Sequence, residues 1–123
     1  METGQRVLVV DDETSIRRYL RAALTAQGLT VYEAADGQEA LNAVLAHRPD
    51  LIILDLGLPD IDGIEVTRRL REWSQTPIII LSVREAEQDK IAALDAGADD
   101  YLTKPFGTGE LMARMRVVIR RQI

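Results

Sequence analysis

Four strand-like runs in this chain, three of them unbroken apolar, end on a group that can do chemistry. Val7-Leu8-Val9-Val10 runs into Asp11-Asp12, Leu51-Ile52-Ile53-Leu54 into Asp55, Ile78-Ile79-Ile80-Leu81 into Ser82, and Asp99-Asp100-Tyr101-Leu102-Thr103 into Lys104-Pro105. A fifth, weaker run spans Thr30-Val31-Tyr32-Glu33-Ala34. The first three have neither a helical nor an alternating period. Runs of this length and type read as strands buried on both faces of a parallel sheet.

Between the runs the period changes to that of a helix. Ile16, Leu20, Ala23 and Leu24 predict a first helix over about residues 14–27, with Gly28 placed to close it. Asp36 can cap a second helix, with Glu39 reaching back as in a capping box. Its inner stripe is Ala40, Leu41, Val44 and Leu45, and Pro49 closes it. Asp62 can cap a third helix that carries Val66, Leu70 and Trp73 inward and leaves Thr67, Arg68, Arg69, Arg71 and Glu72 as a polar surface. A fourth helix, about residues 87–96, has a thin apolar stripe and is expected to be the least firmly packed. Leu111, Met115, Val118 and Ile119 give the last helix its inner face, with Arg114, Arg116, Arg120 and Arg121 turned elsewhere.

Alternating strands and helices with short connections define a three-layer α/β sandwich. Right-handed crossovers point every strand the same way, so the residues that close the strands share one edge. Asp11, Asp12, Asp55, Ser82 and Lys104 are therefore expected to meet.

Composition narrows what that edge can serve. A length of 123 residues fits one domain, and no apolar run approaches the span of about 18 residues that a membrane helix requires. The absence of cysteine removes disulfide and thiolate-metal frameworks and fits the cytosol. A net charge of −5 argues against this domain gripping a nucleic-acid backbone unaided.

Three carboxylates at close range repel one another unless one is protonated or a cation binds. Oxygen-only ligands select a hard ion, and Mg²⁺ is the natural one. A free carboxylate beside such an ion can attack a phosphoryl group and form an acyl phosphate, with Lys104 neutralising developing charge and Ser82 donating a hydrogen bond. Taken singly, each of these residues is more often a cap, a turn or a solvated side chain. Their convergence outweighs that. His47 is expected as a solvated helix-end residue, Trp73 as packing, and Met112 and Met115 as core and helix surface. A nucleotide-binding enzyme is disfavoured because Asp11-Asp12-Glu13-Thr14 stands where phosphate loops need glycines. A metal-dependent aspartyl-phosphate enzyme usually needs a second carboxylate two residues after the nucleophile, and Gly57 is there.

The acidic pair Asp11-Asp12, the LDLGLPDIDG block around Asp55, Ser82 and Lys104-Pro105 resemble the receiver domain of two-component response regulators along essentially the whole chain. The stretch Ala98 to Phe106 with Glu110, Leu111 and Arg114 looks like the OmpR/PhoB class. The resemblance implies a flavodoxin-like sheet of order 2-1-3-4-5 and a cis peptide before Pro105. Asp55 would take a phosphoryl group from a sensor histidine kinase. Mg²⁺ would be held by Asp11, Asp12, Asp55 and the Gly57 carbonyl, with Ser82 and Lys104 contacting the phosphoryl group. Ser82 and Tyr101 would form the switch. Dimerisation would use the face of the fourth helix, fifth strand and fifth helix, pairing Lys90 with Glu110 and Asp100 with Arg114, with Leu94 between them and Arg121 of the last helix also in the interface. The class continues into a winged-helix DNA-binding domain beyond the position of Gln122-Ile123, so the expectation is a receiver over 1–123 whose DNA-binding domain lies outside this chain. A stand-alone receiver and an Mg²⁺-dependent phosphotransfer enzyme are the alternatives.

Overall fold

A computed structural model describes residues 1–121. Strand β1 (Arg6–Val10) leads to α1 (Thr14–Thr25), β2 (Thr30–Ala34) to α2 (Gly37–His47), and β3 (Leu51–Leu54) to α3 (Gly63–Arg71). Strand β4 (Ile78–Ser82) leads to α4 (Glu87–Asp95), and β5 (Asp100–Thr103) to α5 (Thr108–Arg120). All pairings are parallel and the order is β2-β1-β3-β4-β5, as expected.

Side-chain alternation divides the core into two layers. Val7, Val9, Leu51, Ile53, Ile79 and Leu81 face Leu20 and Leu24 of α1 and Leu111, Met112, Met115 and Val118 of α5. Leu8, Val10, Ile52, Leu54, Ile78 and Ile80 face α2, α3 and Ala93 of α4. Ala93 is the one buried residue of α4, so the expected looseness of that helix is present in its packing.

The helix ends follow local chemistry. Leu29 N–H reaches back to the Leu24 carbonyl around Gly28 at φ +84°, the left-handed turn expected there. Asp36 accepts from Glu39 N–H at 2.8 Å, while Glu39 accepts from Ala35 N–H rather than from Asp36 itself. Asp62 accepts from Ile64 N–H at 3.0 Å.

Several expected faces are corrected. Leu45 is 64% exposed and Trp73 46% exposed, Trp73 because α3 ends at Arg71 and the next turn carries it off the inner stripe. Thr67 is buried, its hydroxyl donating to the Gly63 carbonyl at 2.9 Å. Arg71 is no surface residue either, since its guanidinium donates to the carbonyls of Gly97, Ser74 and Thr76 and to Asp99. Met112 joins Met115 in the core. His47 is half-buried and stacks on Tyr32 with ring centroids 3.9 Å apart.

Candidate functional site

Asp11, Asp12 and Asp55 close β1 and β3, neighbouring strands whose register sets Val10 opposite Leu54. Each offers a carboxylate oxygen within 4.8 Å of the others. Asp11 and Asp55 are buried, whereas Asp12 is exposed. From the opposite side comes Lys104, carried by the turn after β5, with Nζ at 2.7 Å from Asp11, 3.7 Å from Asp55 and 3.9 Å from Glu13. The Lys104–Pro105 peptide is cis, as the resemblance implies.

The electrostatics are those of an acidic cluster short of cations. Burial, and then the charge of Asp11, push the Asp55 carboxyl above its ordinary range against the opposing pull of Lys104 and the backbone N–H groups of Gly57 and Leu56. Burial draws Lys104 down, but the hydrogen bond and charge of Asp11, with Asp55 and Glu13, together outweigh it and hold the ammonium above its usual range. The donor set is oxygen-only, partly buried and more negative than one lysine balances, which fits Mg²⁺.

Ser82 is buried at the end of β4, beside β3, and its Oγ accepts from Arg84 N–H at 3.2 Å. Tyr101 lies half-buried across from Ile80, and its hydroxyl donates to the Arg84 carbonyl at 2.8 Å. Arg84 thus touches both residues assigned to the switch, and it also pairs with Asp62 at 2.6 Å. On the α4-β5-α5 face, Arg114 pairs within its own chain with Asp100 at 3.0 Å and Glu110 at 3.3 Å. Leu94 is 46% exposed, and Lys90 Nζ lies 6.0 Å from the Tyr101 ring centroid.

The loop that follows Asp55 is fixed by Asp60 and Gly63, to which the sequence reading gave no role. Asp60 accepts from Gly37 and Gln38 N–H at 2.8 and 2.9 Å, capping α2 from outside. At Gly63 an added Cβ would lie 2.5 Å from the Asp55 carbonyl oxygen and 2.6 Å from Leu56 Cα, so only glycine lets α3 start this close to the acid. Gly57 stands beside Asp55, where a Cβ would be 4.0 Å from Oδ2. Gly63 had a signal, a glycine directly after a capping Asp; Asp60 had none, because its partners are on another helix.

A sheet of this order with an acidic trio and an opposing lysine at its carboxyl edge is a receiver-type arrangement, and the chain belongs to the response regulator receiver domain family, whose profile matches residues 7–116. It is a KdpE-like member. The chain is 63% identical over 115 residues to the KDP operon transcriptional regulatory protein KdpE of Escherichia coli, covering 94% of this chain and 51% of that protein. Identity to the transcriptional regulatory protein KdpE of Mycobacterium tuberculosis is 55% over 115 residues, with the same 94% and 51% coverage. The chain therefore spans about half the length of the curated relatives it matches. Among solved structures, the receiver domain of Francisella response regulator 1452 superposes with a TM-score of 0.91 at 36% identity, covering 98% of this chain and 100% of that one. The BeF3-activated N-terminal receiver domain of Klebsiella pneumoniae RstA does so with 0.91 at 30% identity, covering 94% and 99%. Among the described residues no helix is long and apolar enough to cross a membrane.

Proposed function

We propose that Asp55 is the phosphoacceptor of a two-component switch that takes its phosphoryl group from a sensor histidine kinase in an Mg²⁺-dependent step. The observation that carries this reading is the packing of Asp55 against Asp11, Asp12 and Lys104 at the carboxyl edge of the sheet. In the transfer, an Asp55 carboxylate oxygen forms the new P–O bond as the P–N bond of the donor phosphohistidine breaks. The electron pair leaves on the imidazole nitrogen. Asp11, Asp12, Asp55 and the Gly57 carbonyl would hold the ion. Mg²⁺ supplies neutralisation of the phosphoryl oxygens. Lys104 gives a second cation from the opposite side, and Ser82 a hydroxyl donor.

Readout would follow from the same residues. A dianion on Asp55 draws the Ser82 hydroxyl toward it, away from the Arg84 amide it now accepts from, and the β4–α4 loop and Tyr101 resettle together. The α4-β5-α5 face then pairs two copies, and an attached DNA-binding domain acts as a dimer. Similarity to the KdpE proteins supports control of potassium-uptake genes as the output.

Treatment with acetyl phosphate and Mg²⁺, followed by mass spectrometry, tests the central step. One phosphoryl adduct per chain is expected, abolished by Asp55→Asn and by chelation. An undiminished adduct in Asp55→Asn overturns the assignment.

A further inference from the structure

Asp11 and Asp12 are held very differently. The Asp11 carboxylate accepts from Glu13 N–H at 2.9 Å and from Lys104 at 2.7 Å. Asp12 is exposed, and among the described residues no protein donor meets its carboxylate. What aims Asp12 must therefore act through the backbone. The Asp11 carbonyl, which belongs to the peptide leading into Asp12, accepts from Arg17 NH1 at 2.7 Å.

Arg17 is no solvated helix residue. Its side chain is 16% exposed, and its three nitrogens reach three different groups. Nε donates to Glu33 at 3.1 Å, NH1 to the Asp11 carbonyl, and NH2 to the Thr14 hydroxyl at 3.3 Å. The segment from Asp11 to Thr14 is thereby closed onto one rigid planar group. Glu33, at the end of β2, is the fixed point on the far side, and Arg21 donates to its second oxygen. The Arg21 hydrogen bond, with the charges of both arginines and the Arg17 bond, outweighs burial and holds the Glu33 carboxyl below its ordinary range.

We infer that Arg17, anchored by Glu33, is a positioning residue for metal binding: it fixes the Asp11–Asp12 peptide plane and so presents the otherwise unheld Asp12 carboxylate to the ion. This rests on the reading of Asp11, Asp12 and Asp55 as the Mg²⁺ site. It also makes a prediction whose sign is opposite to that of simple electrostatics. Removing a positive charge near a cation site should strengthen cation binding; removing the group that orders a ligand should weaken it, and outer partners of metal ligands typically contribute about 10–100-fold in affinity.

Titration calorimetry with Mg²⁺ on the folded protein, alongside metal-free thermal melts, separates these. Arg17→Gln is expected to weaken Mg²⁺ binding about tenfold. Arg21→Gln removes the same charge from the same Glu33 without touching the Asp11 carbonyl, and it should bind Mg²⁺ as well as the parent or better. Arg17→Lys keeps the charge but cannot form the three-way fork. It should also bind more weakly, and it carries the test if Arg17→Gln does not fold. Parental or tighter Mg²⁺ binding by Arg17→Gln, or by Arg17→Lys in its place, overturns the inference. So does an equal loss in Arg21→Gln. Failure of the parent protein to bind Mg²⁺ instead overturns the site reading on which the inference rests.

Discussion

Lys104 leans toward Asp11, not Asp55: its Nζ is 2.7 Å from the former and 3.7 Å from the latter. In this arrangement the lysine stands in for part of the charge a metal would supply, and the two cations compete for one carboxylate. Lys104→Met leaves Asp11 buried without its partner and should destabilise the metal-free protein by about 3 kcal/mol. The same change should tighten Mg²⁺ binding, by about tenfold, because a competing charge is gone. Denaturant melts and Mg²⁺ calorimetry check both, and looser Mg²⁺ binding would contradict the competition.

The raised pKa of Asp55 gives a pH dependence of definite sign. In the metal-free protein the folded state holds this proton more tightly than the unfolded chain. The associated stability is present below the ordinary aspartate value, about 4, and is lost as pH rises through the elevated folded value. Ionised Asp55 therefore costs the metal-free fold stability at neutral pH. Asp55→Asn should melt higher than the parent at pH 7, with the gap narrowing as pH falls through the carboxylate range, and Mg²⁺ should stabilise the parent more than the variant. A gap that widens in acid would rule this out.

At Gly63 the constraint is steric. Its absent Cβ leaves room for the Asp55 carbonyl and Leu56, so Gly63→Ala must push the start of α3 off the acid-bearing strand. A loss of about 2 kcal/mol is expected, together with reduced acyl-phosphate formation. A variant with parental stability would show that α3 shifts freely.

The Arg114–Asp100 pair bears on assembly. Within one chain it is a partly exposed ion pair, of a kind worth about 0–1 kcal/mol. In the proposed two-fold dimer each such pair recurs, so reversing one charge is felt twice. Sedimentation of the beryllofluoride-treated protein should show a dimer that Arg114→Glu weakens and that added Asp100→Arg partly restores. Indifference to Arg114→Glu would remove this face from the assembly.

Much of this was legible from one-dimensional pattern. Short unbroken apolar runs and period-3.6 spacing placed the ten elements, and the rule that crossovers share a hand brought Asp11, Asp12, Asp55 and Lys104 to one edge. Spacing failed where a side chain's environment is set by distant backbone. Arg71 looked like one more charge on an outer stripe, yet carbonyls from the loops before β4 and β5 enclose it. Leu45 fitted the apolar stripe of α2 and still faces outward, since that stripe is satisfied by Ala40 and Val44. The fork of Arg17 was invisible for the same reason: nothing local distinguishes it from Arg18, which is exposed.

The single buried alanine of α4 sets an energy scale for the proposed switch. Withdrawing one methyl from the core costs about 0.8 kcal/mol, no more than the net worth of one hydrogen bond, about 0.5–1.5 kcal/mol. Two placements of this helix can therefore lie within thermal reach of each other. A rearrangement as slight as one hydroxyl turning at the end of β4 is then large enough to change which placement dominates.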